Sequence, residues 1–206
     1  MEGGVVVNNG NRVECALGYA TLYGDAIGAL APIGDLSKVE LFGLARDINV
    51  TFGFEAVPEN LLPCETDGGY VWETMPSAEL STGQVDPMKW FYHDWLIGKL
   101  LGDDSQDRPV FDDIACDVLA RYLDDRLYGS EVGKWIRFYG LDDPRVFADD
   151  FDWVLSSMCS SAFKRIQAPP KIALASRWSL FGADDVQVTQ EFSSRYRVLM
   201  SRIRRL

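Results

Sequence analysis

The chain has 206 residues, 47% of them hydrophobic, which suits one or at most two folded domains and excludes a disordered or fibrous class. Acidic residues outnumber basic ones by 31 to 20, and the resulting net charge of -11 excludes a general nucleic-acid binder that works by counterion release. No apolar run reaches the roughly 18 residues that a bilayer span needs, and Met-Glu-Gly-Gly lacks a signal-peptide pattern, so a membrane location is not expected.

In chain order, Val5-Val6-Val7 predicts a short strand, followed by a polar loop and a helix from Asn11 to Tyr19 with Val13, Ala16 and Leu17 on one side. A strand that delivers a helix start is where α/β folds place phosphates. After an irregular run with Gly18, Gly24 and Gly28, Asp35 is expected to cap a helix beginning at Leu36 and ending near Asn49 and Gly53. Its apolar face is Val39, Leu41, Phe42, Leu44, Ala45 and Ile48. The stretch from Val57 to Met75 reads as a surface loop from its prolines and glycines. Helices are expected at Pro87 to Leu101, Phe111 to Leu127, Ser130 to Tyr139, Pro144 to Ile166 and Gln190 to Arg205, with a strand at Lys171 to Ser176 and a turn at Gly182 to Asp185. There is no internal repeat and no Gly-, Ser- or Pro-rich linker, so residues 1–206 count as a single unit.

The cysteines Cys15, Cys64, Cys116 and Cys159 form no C-x-x-C pair, which points to a reduced, cytoplasmic chain rather than a disulfide framework or zinc site. His93 is the only histidine, so no Ser/His/Asp or Cys/His system arises, and packing is its expected role. The acidic doublets Asp103-Asp104, Asp112-Asp113, Asp124-Asp125 and Asp149-Asp150 read as solvated helix faces, the tryptophans as core or interface anchors, and the terminal arginines as cations at a helix C-terminus.

Three blocks carry a family resemblance: Asn8-Asn-Gly-Asn-Arg-Val-Glu14 through Gly34-Asp-Leu-Ser-Lys38, then Met75-Pro-Ser-Ala-Glu-Leu80 with Gln84 and Asp86, then Phe163-Lys-Arg-Ile-Gln-Ala-Pro-Pro170. Over residues 5 to 185 the chain resembles the second half of the synthetase domain of NAD synthetases, the glutamine-dependent branch in particular. The resemblance implies an α/β fold: the C-terminal part of a Rossmann-like adenine nucleotide alpha hydrolase (N-type ATP pyrophosphatase), mostly helical here with few parallel strands. It implies NAD biosynthesis, in which ATP adenylates deamido-NAD, pyrophosphate leaves, and glutamine-derived ammonia displaces AMP, with Mg²⁺ as cofactor.

By the same resemblance, Lys38 holds ATP phosphates, Ser77 meets ATP, and Asn9 stands where the family has an ATP-contacting threonine. Lys38 and Ser77 are the catalytic candidates. Lys164 contacts deamido-NAD, and Glu14 serves either Mg²⁺ or deamido-NAD, both roles being open. Read without the resemblance, Lys38 is a solvated charge and Ser77 a helix cap. Leu22 and Ala29 replace a lysine and an aspartate, and Phe163 a histidine, of ammonia-dependent members, which favours the glutamine-dependent branch.

The family's Ser-Gly-Gly-x-Asp-Ser loop does not occur in these residues, nor does a glutaminase part. Two expectations follow: the chain works as the C-terminal portion of a synthetase with the N-terminal half and glutaminase domain as partners, inactive alone and self-associating, or it is a non-catalytic nucleotide-binding or interaction module of that descent. An isolated Val5-Val6-Val7 strand also implies that neighbouring strands come from outside the sequence.

Overall fold

The computed structural model describes residues 3–74, 87–102, 110–174 and 191–206. Helix α1 (Arg12–Leu17) starts at a capping box: Asn11 Oδ1 accepts from Val13 N and Glu14 N, and Glu14 accepts from Asn11 N. It stops at Gly18, whose φ of 64° is a left-handed cap. That glycine is also required by space, since a Cβ would lie 2.2 Å from Ser161 Cβ. Helix α2 (Lys38–Phe52) is capped by Ser37 rather than Asp35. Asp35 is fully buried and accepts from Leu174 N at 2.7 Å instead. The expected stop at Gly53 is present, with φ 68°. Of the expected apolar face only Phe42 is buried, while Val39 and Leu44 are exposed.

The stretch expected as loop contains a 3-10 turn, Glu59–Leu61, and a hairpin of β1 (Cys64–Thr66) and β2 (Gly69–Val71), antiparallel with Glu65 opposite Tyr70. Asp67-Gly68 between the strands is a two-residue hairpin signal, so the local chemistry was present in the sequence. What holds the hairpin down is Tyr70, stacked on Phe91 at 4.3 Å and on Trp135 at 5.1 Å.

The core is helical. Helix α3 (Trp90–Leu101) is the central element, buried over most of its circumference, and packs against α1, α2, α4 (Phe111–Leu123) and α5 (Gly133–Phe138). Helix α6 (Pro144–Ser160) begins at the expected Pro144, with Asp143 as its cap accepting from Arg145 N and Val146 N. The expected run to Ile166 breaks at Ser161 and resumes as α7 (Ala162–Ile166), which turns Lys164 and Arg165 back toward α1. Helix α8 (Ser194–Ile203) packs on α4 and α6. Tyr122 and Phe147 stack at 3.7 Å across α4 and α6, and burying rings of this size contributes about 2–3 kcal/mol each.

The expected parallel strands are not confirmed as ladders. Among the described residues the only ladder is the antiparallel hairpin; the parallel pairing is confined to two single bridges, Val7 with Leu30 and Ala31 with Lys171. Asn8 N donates to Leu30 O at 2.8 Å, Ala29 N to Val6 O at 2.9 Å, and Ala31 N to Pro170 O at 2.8 Å. Val5, Val6 and Val7 stay exposed, so among the described residues the first strand has neither a second neighbour nor a covered face to extend the pairing. Of the strand expected at Lys171 to Ser176, the part to Leu174 holds one bridge, and its remainder and the turn expected at Gly182 to Asp185 lie outside the described residues. No helix among the described residues is long and apolar enough to cross a membrane.

Candidate functional site

The loop after Val7, the start of α1, the first turn of α2 and the end of α7 enclose a cleft of about 500 Å³. Its walls include Asn9, Glu14, Lys38 and Lys164, four of the five residues singled out from the sequence. The fifth, Ser77, lies outside the described residues. Lys38, Lys164, Arg165 and Lys171 line it together with Glu14 and Asp25, a local cationic excess in a strongly acidic chain. Such an excess focuses a field that favours anionic ligands.

The helix-start amides are not free to hydrogen-bond an anion in the cleft. Every N-terminal amide of α1 is spent: Arg12 N donates to Leu36 O, Val13 N and Glu14 N to Asn11 Oδ1, and Cys15 N to Asn11 O. In α2, Val39 N donates to Asp94 Oδ2 at 2.9 Å and Glu40 N to Ser37 Oγ at 3.1 Å. Satisfied amides leave side-chain cations as the anion-holding groups.

Lys38 is the first residue of α2, and its ammonium lies 5.0 Å from the Trp90 ring centroid and 6.0 Å from that of Phe42. Lys164 donates to Gly18 O and Ala20 O, both at 2.7 Å, so it clamps the loop after α1 while standing on the cleft wall. Glu14 is held by its capping bond from Asn11 N at 2.9 Å. Asn9 is exposed at the rim.

Three residues that sequence reasoning passed over shape the cleft. Asn8, buried, donates from its amide to Asp25 O at 2.7 Å and Ile27 O at 3.1 Å and accepts from Gly10 N, which folds the loop over. Arg165, also buried, donates to Ala16 O and Ser161 Oγ at 2.7 Å and to Met158 O at 2.6 Å. It adjoins Lys164 in the third sequence block, which was the available signal. Cys15 lies against Lys171; burial pushes its thiol up, outweighing the lysine's opposite pull, so it is no ready nucleophile.

Asp94 on α3 sits behind the cleft. Burial pushes its carboxyl up to about 6, against the Val39 amide, the Arg12 charge, the Lys38 amide and the Ser37 hydroxyl, which pull it down. Between its unfolded value of 3.8 and about 6, the folded chain holds a proton that the unfolded chain has released. This group therefore adds stability as pH falls through 6. Relative to Asp94→Asn, the wild-type chain is expected to gain about 1 kcal/mol between pH 7.5 and pH 5, read from urea midpoints of both proteins. An unchanged difference would remove the buried-carboxylate account.

His93 is fully buried, as its packing role required, and is not alone there. Its Nδ1 accepts from Lys89 N at 3.0 Å, so Nε2 carries the proton and donates to Asp150 Oδ2 at 3.1 Å. Burial raises the Asp150 carboxyl, but the bonds from His93 and Lys89 outweigh it and hold it below its ordinary value. This cluster ties α3 to α6 away from the cleft.

The model of the family described as NAD synthase matches residues 1–115. The glutamine-dependent NAD(+) synthetase of Xanthomonas campestris pv. campestris is 33% identical over 144 residues, 70% of this chain and 24% of that protein. That of Xylella fastidiosa strain 9a5c is 31% identical over the same share of this chain and 25% of its own length. The NH(3)-dependent NAD(+) synthetase of Wolinella succinogenes is 40% identical over 85 residues, 41% of this chain and 26% of that protein. The chain thus spans about a quarter of the length of these curated relatives. A family match over residues 1–115, which include Asn9, Glu14 and Lys38 of the cationic cleft, makes the chain a member of the NAD synthase family.

Proposed function

We propose that the cleft is part of the site at which ATP adenylates the carboxylate of deamido-NAD and ammonia, derived from glutamine, then displaces AMP to give NAD. The carboxylate oxygen attacks the α-phosphorus, the bond to pyrophosphate breaks, and the incoming nitrogen later expels AMP from the acyl carbon. Neither step requires a protein nucleophile; both require cations on the departing phosphates. The observation that carries the reading is the convergence of three segments distant in sequence, those of Asn9 and Glu14, of Lys38 and of Lys164, on one cleft with excess positive charge.

In this reading Lys38 neutralises the leaving pyrophosphate, Asn9 and Ser77 hold ATP, and Lys164 contacts deamido-NAD while fixing the loop through Gly18 and Ala20. No three His, Cys, Asp or Glu side chains converge among the described residues. Mg²⁺ fits here as an ion held by Glu14 together with nucleotide phosphates, the manner in which Mg²⁺ is usually held beside phosphates. When bound, it supplies further charge neutralisation on them.

The 206 residues act as one unit of a larger active assembly, as the C-terminal portion of the nucleotide-binding fold. The exposed edge at Val5–Val7 is where further parallel strands of that fold pair, from polypeptide joined to this chain or separate from it, with a glutaminase part feeding ammonia. Self-association is supported by the apolar surface at the end of α2, where Val50, Phe52 and Phe54 are exposed. Four free cysteines agree with a reducing, cytoplasmic setting.

Calorimetric titration of the chain with ATP and Mg²⁺, and separately with deamido-NAD, tests the reading. Binding of at least one ligand, weakened tenfold or more by Lys164→Ala, is expected. Heat-silent titrations for both ligands would refute it.

A further inference from the structure

Lys38 is held at both of its ends by a single helix. Trp90 and Asp94 stand four residues apart on α3, so they share one face, and that face meets the first turn of α2. Asp94 Oδ2 accepts from Val39 N at 2.9 Å, and the Lys38 amide and Ser37 hydroxyl also act on the same carboxylate. The carboxylate therefore grips the backbone that carries Lys38. At the far end of the side chain, the ammonium lies 5.0 Å from the Trp90 ring centroid. Trp90 is 4% exposed yet borders the cleft, so its ring is both fixed by the core and in reach of the cation. A flexible four-carbon stem left to itself samples many rotamers, and a cation that must meet phosphates gains from being held in advance.

We propose that Trp90 and Asp94 are positioning residues for Lys38: the carboxylate sets the start of α2 and the indole face receives the ammonium, so that the charge waits at the cleft wall. This rests on the reading of Lys38 as a phosphate-holding group, but the placement of the side chain is measurable without any nucleotide.

The test uses the full chain with ¹³C-dimethylated lysines, the Lys38 signal being identified by its loss in Lys38→Arg. The expected result is a Lys38 signal shifted upfield by the Trp90 ring current. Trp90→Leu returns it most of the way to the bulk lysine position, the Phe42 ring at 6.0 Å leaving a remainder, Trp90→Phe retains more of the shift, and Asp94→Asn moves it at least half of the way. In parallel titrations with ATP and Mg²⁺, Trp90→Leu and Asp94→Asn each weaken binding five- to tenfold, and neither adds a further loss to Lys38→Ala. If one of the two variants does not fold, the other decides the matter with Trp90→Phe. An unshifted Lys38 signal in the wild-type chain, a signal unmoved by the folded variants, or unchanged ATP affinity in them overturns the proposal. Absence of ATP binding by the wild-type chain counts against the reading of the cleft alone, and the Lys38 signal still decides the positioning.

Discussion

Replacing Arg165 by methionine is expected to lower the stability of the chain by roughly 3 kcal/mol, because the truncation strands buried acceptors as well as losing bonds. Its guanidinium joins α1, α6 and α7 at one point, donating to Ala16 O, Met158 O and Ser161 Oγ. Ala16 O and Met158 O lie near helix C-terminal ends, where carbonyls have lost their intrahelical partners and carry partial negative charge. Methionine fills much of the volume but donates nothing. Burial draws the guanidinium's pKa down from its usual value, yet arginine stays charged at any ordinary pH, so the effect should persist from pH 6 to 9. For a chain of this size the midpoint of thermal unfolding should fall by roughly 6–12 °C. Arg165→Lys should recover only a minor part, since an ammonium cannot span the fork between Ala16 O and Met158 O. A loss below about 1 kcal/mol, or full rescue by lysine, would show that the helices are joined by other means. The neighbouring Lys164 clamp depends on the same break at Ser161, so Arg165→Met is also expected to loosen the cleft.

Lys38→Ala is expected to reduce kcat/KM for ATP about a hundredfold in the complete synthetase, the size of effect found when one preorganised group is removed from a developing charge. Among the described residues ring faces rather than hydrogen bonds surround its ammonium, so removing it costs the fold little. Alanine also suits the first position of a helix whose cap is the Ser37 side chain. Far-UV circular dichroism and the unfolding midpoint should therefore be unchanged within error while turnover falls. If the cation acts on the departing pyrophosphate, kcat should fall along with kcat/KM, because the charge grows toward the transition state. A loss of less than threefold would assign Lys38 to the solvated surface after all. Arg at this position keeps the charge but places a wider group against Trp90, so partial activity is the expected outcome there.

Helix ends written in neighbouring residues were legible in advance. Asn11 with Glu14, Gly53, and Asp143 followed by Pro144 each act within one turn, and each stands where local chemistry puts it. Asn9, Glu14, Lys38 and Lys164, singled out by a resemblance and not by any local rule, line one cleft, while Ser77, singled out with them, lies outside the described residues. The misreadings share a cause. Asp35 is as good a cap as Ser37 by sequence, but Leu174 N, far along the chain, takes its carboxylate. The hairpin at Cys64–Val71 was passed over because Tyr70 needs Phe91 and Trp135 to hold it down.

Sequence alone determined the acidic balance, the family blocks and what depends on residues within a turn of one another: most of the helical segments and the end signals at Asn11, Gly53 and Asp143. Tertiary structure decided which polar groups meet. Asp94 reaches Val39 across 55 positions and Arg165 reaches Ala16 across 149, and those contacts occupy an amide at the start of α2 and a carbonyl near the end of α1. A buried donor or acceptor takes whichever partner folding brings within 3 Å, and that choice follows from packing of the whole chain and not from its local pattern.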